Sequence, residues 1–109
     1  MRDNWYAEIR IFPFDSLPEG WVPCDGQLLP ADQKHAPLFS LIGTAFGGDG
    51  QKTFAVPDLR GRLPVGTDYD AARGSNHLSP SSGPGAKETQ PTIALVYAIS
   101  INGLYPSFQ

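Results

Sequence analysis

The sequence predicts a mainly β fold with one short helix: a small single domain of short strands, many turns and a long central loop. Three observations predict it. Twelve Gly and eleven Pro in 109 residues interrupt helical hydrogen-bond ladders and leave little room for long helices. The apolar residues fall in short runs bounded by turn residues, several of them alternating at the strand period of two. Only one run, near Pro37, has helical spacing. A chain of this length supports one domain with a modest core and not two independent ones.

The first strand is expected over Glu8 to Phe14, EIRIFPF, where Ile9 and Ile11 alternate with Glu8 and Arg10 as in a half-buried strand. Pro13 ends it or marks an edge. Leu17-Pro18-Glu19-Gly20-Trp21 carries turn chemistry and an aromatic anchor, and Trp21-Val22-Pro23-Cys24 suits a second short strand. Asp25-Gly26 is a strong hairpin signal, with Gln27-Leu28-Leu29-Pro30 as the returning strand.

Pro37 fits the first turn of a helix, where its missing N–H costs nothing, and Gly43 fits a helix end that needs positive φ. Between them Leu38, Phe39, Leu41 and Ile42 place an apolar stripe on one side. So short a helix holds only by packing on strands. Phe46-Gly47-Gly48-Asp49-Gly50 reads as a turn, Thr53 to Pro57 as a strand, Asp58 to Arg62 as a second tight corner, and Leu63 to Gly66 as a short extended piece.

The composition then changes. Residues 68–91 are rich in Gly, Ser, Pro and Ala and hold few large apolar side chains, so they are expected to form an exposed loop or a partner-dependent segment. The expected division is a β-rich body at 1–67, this Gly/Ser/Pro-rich loop at 68–91, and a C-terminal strand and tail at 92–109 completing the same domain. In that last strand Ile93, Leu95, Tyr97, Ile99 and Ile101 alternate with Ala94, Val96, Ala98, Ser100 and Asn102. The bulky side suits a core, and the small side suits close contact with another chain or layer. Ala94, Val96, Ala98 and Ser100, with Tyr105 and Phe108 of the tail, are therefore the candidate assembly residues.

A formal net charge of −3 and a pI near 5.1 give no electrostatic footprint for nucleic acid or for an acidic membrane surface. No stretch approaches the roughly 20 apolar residues of a membrane-spanning helix, and no basic region followed by an apolar run marks a signal peptide. The single Cys24 rules out an internal disulfide framework and is expected as a buried free thiol.

Little in the chain suggests catalysis. His35 and His77 stand far apart without metal-site spacing, and their plain readings are a surface residue before the helix and a solvated loop residue. Cys24 lacks an activating neighbour pattern, Ser40 lies within the expected helix, and Gly-x-Ser-x-Gly is absent. Gly47-Gly48-Asp49-Gly50 lacks the Lys and Ser/Thr of a phosphate-binding loop. Asp25, Asp49 and Asp58 have no calcium-loop spacing and fit turn and cap duties.

Asp58, Arg60 and Arg62 bracket Gly61 in a way that invites a carboxylate–guanidinium pair across the corner. The functional alternative has Arg60 or Arg62 gripping an acidic group of a surface polymer. Tyr69 is its candidate stacking partner, and Trp5, Tyr6, Tyr105 and Phe108 are further aromatics that suit sugar faces or subunit contacts.

These residues, taken in order, resemble the phage tail collar family, including the bacterial proteins labelled microcystin-dependent proteins. Glu8 to Phe12, Gly20-Trp21 and Cys24 to Leu29 are similar to its opening. Leu38 to Thr44 and Phe46 to Gly50 resemble its helix and glycine turn, and Thr53 to Arg62 resembles its most recognisable run. Ile99 to Ser107 is similar to its ending. The departure lies in the middle, where family members carry a longer His- and Gly-rich insertion, some with His-x-His pairs. Here only Arg73 to His77 and a Ser/Gly/Pro stretch stand in its place. The resemblance implies a small β-rich domain of tail fibres, collars and related bacterial surface or secreted proteins, commonly assembling with copies of itself.

The expected function is that of a self-assembling structural subunit of a phage tail fibre or collar, or of a bacterial extracellular fibre or filament. The alternative is a monomeric adhesin module that binds surface polysaccharide. Neither reading requires an enzyme or a cofactor, and both place the protein in a virion tail, outside the cell or at its surface.

Overall fold

A computed structural model describes residues 4–66, 74 and 91–107. Five strands and one helix follow in order: β1 (Ile9–Phe12), β2 (Trp21–Pro23), β3 (Leu28–Pro30), α1 (Ala36–Ile42), β4 (Thr53–Ala55) and β5 (Val96–Ser100). They form two antiparallel sheets, one ordered β1-β5-β2 and the other β3-β4. The expected mainly β architecture with a single short helix is what the chain adopts.

β5 lies between β1 and β2, with Ile9 opposite Ile99 on one side and Val22 opposite Ile99 on the other. Hydrogen bonds alternate along it. Ser100 N–H donates to the Glu8 carbonyl (2.9 Å), while Cys24 N–H donates to that of Tyr97 (2.9 Å) and Ile101 N–H to that of Gly20 (2.8 Å). Even-numbered residues of β5 therefore bond to β1 and odd-numbered ones to β2, as an antiparallel strand with two neighbours must.

The core lies between this sheet, the small sheet and α1. Cys24, Leu29, Leu38, Ile42, Phe54, Val56 and Ile99 form its buried cluster. Leu38 and Ile42, one turn apart on α1, supply the helix's buried face. Gly43 ends the helix at φ 56° and returns its N–H to the Phe39 carbonyl (2.8 Å). Phe39 packs on Phe54 with ring centroids 5.1 Å apart, tying the helix to β4.

Four expectations need correction. Asp25-Gly26 bends the chain, with Gly26 at φ 78° and Asp25 Oδ1 accepting the Gln27 N–H (3.1 Å), but it makes no hairpin. β2 pairs with β5 and β3 with β4. The turn dipeptide encodes a local bend and not a partner, and pairing β3 with β4 covers Leu29 and Phe54 together.

Ile9 and Ile11 are 42% and 50% exposed, because β1 is an edge strand whose core-side face overhangs the core. The C-terminal strand starts at Val96 and not at Ile93. Its partner β1 stops at Phe12, opposite Val96, where the chain bends from Pro13 to Ser16 and leaves the residues before Val96 no continuation of β1 to pair with. His35, expected at the surface, is buried. Its Nδ1 meets Asp32 Oδ1 at 2.9 Å and its ring packs edge-on against Phe54, so its polar atom is satisfied while its carbon face fills the core. The segment from Leu63 to Gly66 lies outside both sheets.

Candidate functional site

The corner after β4 gathers a carboxylate, two guanidinium groups and the β2–β3 bend. Leu59 N–H donates to the Cys24 carbonyl (2.9 Å) and Gly26 N–H to that of Pro57 (3.2 Å), which brings the β2–β3 bend against Asp58. A Cβ on Gly26 would stand 3.2 Å from Asp58 Cβ, so a small residue suits this approach. Asp58 then receives Arg60 in a two-pronged grip, Nε to Oδ1 at 2.9 Å and Nη2 to Oδ2 at 3.0 Å. Arg62 Nη1 donates to the Asp58 carbonyl at 2.9 Å. The Arg60 side-chain bonds, followed by the Arg60 N–H, hold the Asp58 carboxyl well below the usual carboxylate range.

The expected carboxylate–guanidinium pair is therefore present. The planar edge that Arg60 would offer an acidic ligand is engaged by Asp58. Tyr69, the stacking partner in that reading, lies outside the described residues, as do His77 and Phe108. Asp49 has a comparable turn duty. Its Oδ1 accepts the N–H groups of Thr53 (3.0 Å), Gln51 (2.9 Å) and Lys52 (2.8 Å), which in that order lower its pKa to about 2. Among the described residues no group of three or more His, Cys, Asp or Glu is placed to hold a metal ion. Cys24 is a buried free thiol, pushed up to about 12 by burial first and by the nearby Asp25 charge second.

The candidate assembly residues divide. Ala98 and Ser100 are both fully buried within the chain, so their small side chains do not face a second chain. Ser100 lies instead in a polar clamp between the two ends of the described structure. Asn4 Nδ2 donates to Ser100 Oγ (2.6 Å) and to the Asn102 carbonyl (2.9 Å), while Leu104 N–H donates to the Asn4 carbonyl (2.9 Å). Such a buried network is strong only when every member is paired, as here. Val96 is half-buried and Ala94 exposed. Tyr105 is 48% exposed, with its ring near Tyr6 and its hydroxyl bonded to Ser40.

The exposed apolar surface lies elsewhere. Leu63, Val65 and Ile93 are 77%, 65% and 81% exposed, on the two stretches that flank residues 68–91. An open groove of about 910 Å³ runs beside them, lined by Ile11, Leu17, Leu59 and Leu63 and by the residues from Thr92 to Tyr97. A second, apolar cleft of about 400 Å³ opens beneath β1, lined by Ile9, Leu41, Ile42, Phe46 and Ile99. Sequence reasoning placed Ile9 and Ile93 in the core by their alternation. Period two reports that a strand has a preferred face, but not whether that face is covered.

No helix among the described residues is long and apolar enough to cross a membrane. Compared with known protein families, the chain matches the phage tail collar domain over residues 7–64. That span takes in β1 to β4, the helix, the glycine turn and the Asp58 corner. No curated protein and no solved structure matches.

Proposed function

The chain belongs to the phage tail collar domain family, and on that premise we propose that it is a self-assembling structural subunit of a phage tail fibre or collar, or of a bacterial extracellular fibre. It works in a virion tail, outside the cell or at its surface. The observation that carries this reading is the large aliphatic side chains left in water at Leu63, Val65 and Ile93, beside a main buried cluster of seven residues among those described. Leu63 and Ile93 line one groove, exposed apolar surface of this kind marks contact surface, and surface buried between subunits makes up for a small core within them. In this reading residues 1–67 and 92–109 form one unit, joined by β5 between β1 and β2, and 68–91 adds contact surface between copies.

The polysaccharide alternative has less support, because the fork of Arg60 is already engaged by Asp58. The test is the native mass by light scattering across a dilution series, with negative-stain images of the same sample. Oligomers or filaments with a concentration-dependent melting temperature are expected. A monomer at every concentration refutes self-assembly of this chain and turns attention to glycan binding, with Arg62→Ala as its first variant.

A further inference from the structure

The two outer edges of the three-stranded sheet differ. β2 offers no backbone donor to a new strand: Trp21 N–H is spent on the Pro18 carbonyl (3.2 Å), and Pro23 has none. Val22, which retains its N–H, faces Ile99 of β5. β1 is open. Because Glu8, Arg10 and Phe12 stand at the positions bonded to β5, the N–H and C=O groups of Ile9 and Ile11 point to the outer edge. Their side chains share the core-side face of the sheet with Ile99 and are about half exposed. Ile9 overhangs the apolar cleft and Ile11 lines the groove. Natural sheets blunt such an edge or use it.

The chain also carries a segment of matching alternation that has no strand partner among the described residues. Thr92-Ile93-Ala94-Leu95 immediately precedes β5 and lies outside the strands, with Ile93 81% and Leu95 45% exposed. It cannot reach the outer edge of its own β1, because it joins β5 at Val96, opposite Phe12, and β5 itself fills the inner edge of β1.

We propose that residues 92–95 of one copy pair antiparallel with the outer edge of β1 of a second copy, Ile93 opposite Ile11 and Leu95 opposite Ile9. In that register both donor residues take hydrogen-bonded positions, and directly opposed residues of a ladder share a face. Ile93 and Leu95 therefore join Ile9 and Ile11 over the cleft beside Leu41 and Ile42. The occupant is a second copy because the donor segment is part of this chain. Edge and donor are different surfaces, so the contact is head-to-tail, and repeating it gives a ring or an open filament. This inference rests on the self-assembly reading and names its contact.

The test uses single-surface variants of the full chain: Ile11→Lys on the edge and Ile93→Lys on the donor. Both side chains are exposed, so melting and circular dichroism should match wild type. Each variant alone is expected to lose assembly, shifting the species seen by light scattering to monomer. A mixture of the two retains one good edge and one good donor, and is expected to give a 1:1 dimer and nothing larger. In addition, the double variant I11C/I93C should form a ladder of intermolecular disulfides on oxidation, since directly opposed positions bring Cα atoms to about 5.5 Å, within disulfide reach. Cys24 is buried and common to every sample. Wild-type assembly in both Lys variants, with no ladder from the Cys pair, overturns the proposal and places the contact on another face or segment. A wild-type monomer at all concentrations overturns the self-assembly reading beneath it.

Discussion

The glycine turn before β4 provides the sharpest test of the packing argument. Gly48 sits at φ 94°, and a Cβ built there would stand 2.4 Å from Phe54 Cα, 2.7 Å from the Thr53 carbonyl oxygen and 2.9 Å from Phe54 N. All three are backbone atoms of β4, so no side chain can turn aside. Gly61 is the control: it also has positive φ, 67°, but nothing lies within 4 Å of its added Cβ. Gly61→Ala therefore reports the dihedral cost alone, about 1–2 kcal/mol. Gly48→Ala carries that cost and must also displace the strand that holds the fully buried Phe54, for a total of about 3 kcal/mol or more. A domain of this length has about 5–15 kcal/mol to lose, so the variant should still fold. Urea denaturation followed by tryptophan fluorescence reads both variants at unchanged slope. If Gly48→Ala unfolds at the midpoint of Gly61→Ala, the close approach of the glycine turn to β4 is refuted.

Other expectations follow from the same geometry. Phe54→Ala, at the contact of β4 with Phe39 and His35, should destabilise by about 3–5 kcal/mol in the same denaturation assay. Asp49 has a folded pKa of about 2 against about 3.9 unfolded. Its contribution is complete above the unfolded value and is lost as pH falls through the folded one, so urea midpoints should drop between about pH 4 and pH 2. Asp58 is shifted in the same direction, and a double variant D49N/D58N should flatten that acid limb; an unchanged profile contradicts the assignment. Cys24, buried and pushed up to about 12, should resist a thiol reagent at pH 8 until denaturant opens the fold, and rapid labelling of the native protein would count against its burial.

What the sequence made legible is mostly what neighbouring residues decide. The helix bounded by Pro37 and Gly43, the glycine turn at 46–50, the strand at Thr53 and the Asp58–Arg60 corner each depend on residues within a few positions, and each is where its local chemistry puts it. The errors all concern partners far away in the chain. Asp25-Gly26 carries the signal of a hairpin, yet the strands that follow and precede it belong to different sheets. The alternation of Ile93 to Ile101 does not say that β1 stops at Phe12 and leaves Ile93 with no strand partner among the described residues. The small face of β5 was readable as small but not as covered, and its own chain covers it at Ala98 and Ser100.

These errors bear on function, because the fold leaves its apolar excess where the local pattern promised burial. Ile9, Ile11, Ile93 and Leu95 have the alternation of core strand residues and remain substantially exposed. One sheet edge is closed by Pro23, while the other keeps its backbone groups open beside an apolar cleft. A sequence that encodes half-buried strands at both places, and a chain that buries neither, are consistent if the missing cover comes from another copy. The pattern is then correct for the assembly and premature for the monomer.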